Sequence, residues 1–535
     1  MTSPPRVRMG TRSAGAVVLA LCWAVPPAAT ARADARLLAA VEPGTSAPDL
    51  ALPLIAAGGA VTIAALSYAR RRRRMNTRTT PGGGARVTPL PDLDRRARRI
   101  LVESDDAIRT SAEELGLADA QFGGEAVKTF AETVAFARSE VTTAFLLRRQ
   151  LDDVRPGDDV TKRRLLDEII GHCTEAGRAL DAEAADFDRL RDLEDTVPEA
   201  LAHAEAAATE LAARTATAGE TLTALRSRYA HSAVLPVEGH VEQAKDRLLF
   251  ATTNFDQARD LVGSGGHGRA AAFLRAAESA LGQARTFVDG VDRRGRELAD
   301  ADAKLPAALT ASDAVLAAAR AFAQGRSAAS TGVLHGRVVR VESVDLRVRR
   351  ALAAGPYDPV DALRRVEEAD AALDAALTEA GEGKADTARL RGLLDRAELA
   401  ARSSFGAASD FVETHRGAVG CEARMCLAEA GRELGSAGMG VRVGAGTPAE
   451  AGGNPATALD AAQRADSLAR QALYLAQQDV RFFGSPHGGD GGGVGGAILG
   501  GIILGEARDD GRPGDGPWSF GGPETRGRRG GGGRY

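Results

Sequence analysis

The sequence predicts an all-α protein: an elongated, coiled-coil-like array of helical bundles, with an N-terminal transmembrane helix before it and a disordered Gly-rich tail after it. Three observations predict this. Alanine supplies 107 of the 535 residues and only 22 are aromatic, which suits closely spaced helices better than several bulky globular cores. Apolar side chains recur every three or four positions through the body, the period of a helix face. Of the 22 prolines, ten precede residue 92, four follow residue 483 and eight lie between. Proline lacks the N–H and clashes with the preceding turn, so eight well-spread prolines read as junctions between helices.

The N-terminal elements come first. Arg6, Arg8 and Arg12 precede an apolar run from Ala14 to Val25, and Ala31 and Ala33 form a small-residue site before Asp34. That order is a secretory signal peptide, residues 1–33, with cleavage expected after Ala33 or Ala31. Residues 34–49 would form a short extracytoplasmic segment. Leu50 to Ala69 is an uncharged run of twenty residues, about 30 Å as a helix and long enough to span a bilayer. Arg70, Arg71, Arg72, Arg73 and Arg74 follow without a break. The positive-inside rule then puts the C-terminal side in the cytoplasm. The expected location is the cell membrane, single-pass, with the bulk of the chain cytoplasmic.

Residues 70–91 read as a basic, Pro/Gly-rich linker, and residues 92–483 as the helical body. Asp358-Pro359 and Asn454-Pro455 have the order of an N-cap followed by a first helical residue, and Thr447 to Glu450 has the capping-box spacing. Gly157, Gly239, Gly263–Gly268 and Gly355 add breaks. Leu363, Val366, Ala369, Leu373 and Leu377 make one helical stripe; Leu459, Ala462, Ala465, Ala469, Ala472, Ala476 and Val480 make another. Val333 to Val348 is rich in β-branched residues but has no second strand nearby, so a helix is expected. Residues 359–377, 455–473 and, more faintly, 267–285 resemble one another. They read either as a stacked array of helical units or as convergence of Ala-rich amphipathic helices. From Gly484 onward 21 of 52 residues are glycine, and a disordered tail is expected over 484–535.

The sequence offers little chemistry. Its 68 basic and 72 acidic residues are intermixed, net −4, so no basic field for nucleic acid covers the body. Only the tail, with Arg526, Arg528, Arg529 and Arg534, offers a weak RNA- or lipid-binding feature. None of the five lysines lies in a phosphate-binding loop. His172 and Cys173 adjoin on one helix and do not face each other. Cys421 and Cys426 lack a second ligand pair. No catalytic residue, cofactor, metal or small-molecule substrate is predicted. The expected partners are the membrane and, by self-association or tethering, other helical proteins.

The strings ARRRRRMNTRTTPGGG (69–84), AFLLRRQLDD (144–153), HRGAVGCEAR (415–424), QRADSLARQALYLAQQDV (463–480) and the final PWSFGGPETRGRRGGGGRY carry a family likeness. With the order of elements, they make residues 50–535 similar to the large membrane proteins of high-GC actinobacteria that bear a secreted TPM domain. The resemblance implies a small α/β, phosphatase-like module between signal peptide and membrane helix. Here that interval is Asp34 to Asp49, so the domain is expected to be missing and no residue role carries over from it.

Overall fold

Helix ends fall where the sequence supplies caps and breaks. The computed structural model describes residues 88–152, 158–324, 328–380, 387–438, 455–483 and 520–525. The long helices are α1 (Leu90–Phe122), α2 (Gly124–Asp152), α3 (Asp159–Arg191), α4 (Leu193–Arg228), α5 (His240–Gly263), α6 (His267–Ala323), α7 (Ala328–Ala354), α8 (Pro359–Glu379), α9 (Thr387–Thr414), α10 (Cys421–Ser436) and α11 (Pro455–Phe483). Asp158 accepts the Thr161 N–H at 3.0 Å and starts α3. Asp358 accepts the Asp361 N–H at 3.1 Å and starts α8, with Pro359 at the first helical position. Gly265, at φ +78°, turns the chain from α5 into α6. Residues 333–348 lie within α7, as a helix. Among the described residues there is no strand.

The helices pack in threes: α1–α3; α4, α5 and the first half of α6; the second half of α6, α7 and α8; then α9–α11. The 57-residue α6 therefore serves two bundles, and one apolar core runs through both, from Val197 to Leu377. Alanines at the crossings, among them Ala276, Ala277, Ala280 and Ala284, are fully buried. Small side chains there let helix axes come close.

The internal likeness has a structural counterpart. Its three stretches start α6, α8 and α11, each the third helix of a bundle. Ala271, Leu363 and Leu459 are equivalent and buried; so are Leu274, Val366 and Ala462, and Ala277, Ala369 and Ala465. The next equivalent position is acidic and also buried: Glu278, Asp370 and Asp466. Asp370 accepts the Ser312 hydroxyl at 2.7 Å and Asp466 the Ser404 hydroxyl at 2.6 Å, in each case a serine on the first helix of the same bundle. Glu278 takes Arg191 instead, at 2.8 Å. A shared buried acid is not needed for helix formation, so these equivalences favour the repeat over chance likeness.

Several expectations change. Pro198 and Pro306 lie inside α4 and α6 rather than at junctions. Both are exposed, while Val197, Ala200, Leu305, Ala308 and Leu309 beside them are buried. Burial of the neighbouring face outweighs the roughly 3 kcal/mol cost of an interior proline. The bundles also do not meet only in chain order, because α10 packs on α1 and α2. Disorder throughout 484–535 fails at Phe520–Thr525, where Phe520 is buried in the core of the first bundle. The signal peptide, Leu50–Ala69, the Arg70–Arg74 run, Thr447–Glu450 and the rest of the tail lie outside the described residues.

One described helix, α6, is long and apolar enough to cross a membrane, which is compatible with membrane association. In this fold it is a core helix that buries Glu278 and Arg294 among its neighbours.

Candidate functional site

A cluster of buried and half-buried charge joins the first and fourth bundles. From α1 come Asp105, Asp106, Arg109 and Glu113; from the end of α9 comes Glu413; Arg416 lies in the connection to α10, and Arg424 on α10 itself. Arg424, 1% exposed at its side chain, reaches Asp105 at 2.5 Å and Asp106 at 2.8 Å. It also donates to the Val419 and Arg416 carbonyls at 3.1 and 2.6 Å. Arg109 bridges Asp105 at 3.0 Å and Glu413 at 2.6 Å, and Arg416 pairs with Glu113. Arg148 of α2 holds Asp94 at 2.5 Å and Arg98 reaches Glu422 at 2.8 Å. The Gly420 N–H donates to Asp479 of α11 at 2.9 Å. An arginine fork can satisfy several acceptors at once, which a lysine ammonium cannot match in this geometry.

Burial alone would raise every carboxyl in this cluster. Arg109 and Arg424 overcome it at Asp105, which is held below the usual carboxylate range. Asp106, deeply buried and beside Asp105, is raised. Glu413 is pulled down to about 2 by Arg109 and Arg416 against its burial. Glu113 is pushed up by burial and by the neighbouring Glu413, despite Arg416. The cluster is thus a mutually neutralising clamp.

A second feature is a groove of about 730 Å³ between α8, α9 and α11. Apolar walls from Leu390, Leu393 and Leu459 meet five acids, Glu367, Glu368, Asp374, Asp460 and Asp466. Asp466 is paired with Arg364 at 3.3 Å and Arg470 at 3.0 Å, and Asp374 with Arg389. Glu367 is raised to about 7 by burial and accepts from the Gln463 amide at 2.8 Å. Those contacts tie α8 to α11 and leave Glu367 as a group that can hold a proton near neutral pH.

The described cysteines are buried, and His415 with them, whereas His203, His231, His267 and His335 are exposed. Cys173 is pushed up to about 12 and Cys421 to about 11 by burial, the wrong direction for a reactive thiolate. His172 turns away from Cys173 and meets Glu140 at 2.7 Å. Burial lowers His240 to about 4 and also lowers His415. Among the described residues, no three His, Cys, Asp or Glu side chains gather in a metal-holding group.

Over 463 residues the chain is 34% identical to UPF0603 proteins of Mycobacterium tuberculosis, from strains CDC 1551 and H37Rv. That alignment takes in 84% of this chain and 68% of each relative. The chain belongs to the UPF0603 family. No family model matches it, and no solved structure matches it.

In this UPF0603 protein the residues assigned a role from sequence, Ala31, Ala33, Leu50, Ala69 and Arg70–Arg74, all lie outside the described residues. Three of the five motif strings, by contrast, supply residues to the charge cluster or the groove, while residues 69–84 lie outside the described residues. HRGAVGCEAR supplies Arg416 and Arg424, AFLLRRQLDD supplies Arg148, and QRADSLARQALYLAQQDV supplies Gln463, Asp466, Arg470 and Asp479. Sequence reasoning gave none of these a role. The available signal was a charged residue standing where a helix or its connection carries otherwise small and apolar side chains, as in Gly-Ala-Val-Gly-Cys-Glu-Ala-Arg.

Proposed function

We propose that the protein is a single-pass membrane protein whose cytoplasmic body is a non-enzymatic helical scaffold, acting by self-association or by tethering another helical protein at the membrane. The anchor is Leu50–Ala69, oriented by Arg70–Arg74. The observation that carries the reading is how the body spends its titratable side chains. Asp105, Asp106, Arg109, Glu413, Arg416 and Arg424 neutralise one another between two bundles. A catalytic site instead leaves a perturbed acid, base or nucleophile facing a cleft with reactive groups converging on it. Glu367 faces a groove, but it accepts from Gln463, and its neighbours Asp374 and Asp466 are paired with Arg389, Arg364 and Arg470. The scaffold reading calls for no cofactor and no small-molecule substrate. Protease treatment of intact cells and of inside-out vesicles tests it. Digestion of the body in vesicles alone, with a cross-linked homo-oligomer or co-purified helical partner, is the expected outcome. Digestion in intact cells would refute the orientation, and a strictly monomeric, partner-free protein in detergent would refute the scaffold.

A second reading is favoured by the alignment, which leaves about a third of each relative unmatched. The chain is then the remnant of a TPM-domain envelope protein that worked through a secreted, phosphatase-like module. Resequencing the locus tests this. A coding segment of about a hundred residues, the size of a domain, joined in frame near Asp34 would support it.

A further inference from the structure

Three phenylalanine rings meet in the core of the first bundle. Phe130 of α2 and Phe187 of α3 meet edge to face, with centroids 5.2 Å apart. Phe520, from the far end of the chain, stacks on Phe187 at 4.4 Å and meets Phe130 at 5.8 Å. It is fully buried. The residues after it are held by their backbone. The Gly521 N–H donates to the Ser111 hydroxyl of α1 at 3.2 Å. Asp181 of α3 accepts the N–H groups of Gly522, Glu524 and Thr525 at 2.9, 3.1 and 2.8 Å, and the Thr525 hydroxyl at 2.5 Å.

The fit selects residue types. Gly521 has φ +139°, a conformation that favours glycine. A Cβ on Gly522 would fall 2.1 Å from the Gly177 carbonyl oxygen, and a Cβ on Gly177 would fall 2.7 Å from Pro523 Cδ. The seat therefore demands an aromatic residue, two glycines that let backbone meet backbone, and a proline lying over a helix glycine. Thirty-six residues separate Phe483 from Phe520, an extended reach of roughly 120 Å. The chain's own segment is thus available at the high effective concentration of an intramolecular ligand.

We propose that the first bundle carries a peptide-docking seat selective for an aromatic-Gly-Gly-Pro segment, and that residues 520–525 fill it in cis as a latch joining the C-terminal end to the start of the helical body. The probe is a fluorescent synthetic peptide of residues 517–526, added to the full-length protein. A full-length variant with Phe520→Ala and Gly522→Ala vacates the seat. It should bind the peptide saturably and at least tenfold more tightly than the unaltered protein. Adding Gly177→Leu, a good helix former at a helix position, should cut that binding at least tenfold with helicity by circular dichroism unchanged. No binding to the folded, vacated variant would overturn the proposal, as would binding indifferent to Gly177→Leu. A dimer of the unaltered protein that the vacating substitutions dissolve would place a second copy's segment in the seat and overturn the assignment in cis.

Discussion

Arg424 shows how much a single side chain holds in place here. Its guanidinium serves two carboxylates of α1 and two carbonyls near its own helix. Truncation leaves buried Asp106 without that ion pair and half-buried Asp105 with Arg109 as its remaining arginine. Arg424→Ala should therefore destabilise the protein by about 3–5 kcal/mol, read by urea denaturation of the folded chain. Arg424→Lys should recover little of it, since one ammonium cannot replace the fork. Glu367 gives a prediction of opposite character. Its carboxyl stands at about 7 when folded against an ordinary 4.5, so between those values the folded state holds a proton that the unfolded state releases. Stability from this group is full below pH 4.5 and is lost as pH rises to 7, a slope worth at most about 3 kcal/mol. Glu367→Gln should flatten that slope and raise stability at pH 8, measured as melting temperature across pH 5–8. The roles of Arg416, Arg424 and Asp181 were not legible from one sequence. A charged residue in a helix looks solvated until its partner is known, and these partners lie hundreds of positions away along the chain.

At the scale of the helix, much of the fold was legible. The stripe Leu363, Val366, Ala369, Leu373 and Leu377 is buried to the last residue. The helical state of the three similar stretches was legible from their period, but their shared buried acids were not. Pro198 and Pro306 were misjudged because a rule about helix interiors ignores which side faces water, whereas Pro356, Pro359 and Pro455 do stand at helix junctions. Pro306 is the sharper case: it is exposed in the middle of α6, and its missing N–H leaves one intrahelical bond unmade. Pro306→Ala should restore that bond and raise stability by up to about 3 kcal/mol, seen as a higher melting temperature with an unchanged helical spectrum. An unchanged or lower melting temperature would mean that the surrounding core has shaped itself to the ring.

For the whole molecule, local patterning runs out. Periodicity tells which face of a helix is buried but not which helix covers it, so α10 packing on α1 and α2 was invisible in advance. So was the return of Phe520 to the first bundle, because glycine-rich composition argues for disorder and says nothing about six residues with a fitted seat. The long α6 has a further consequence, which is mechanical. A rod of 57 residues, about 85 Å, runs unbroken from one bundle into the next and lends both the same core. No slack joint exists there to absorb a pull. Under tension applied in an optical trap between α4 and α8, the two bundles should yield in a single rip, and two separate rips would show that the rod snaps first. A protein built this way carries load from one end of that rod to the other, where beads on a flexible string would let it dissipate.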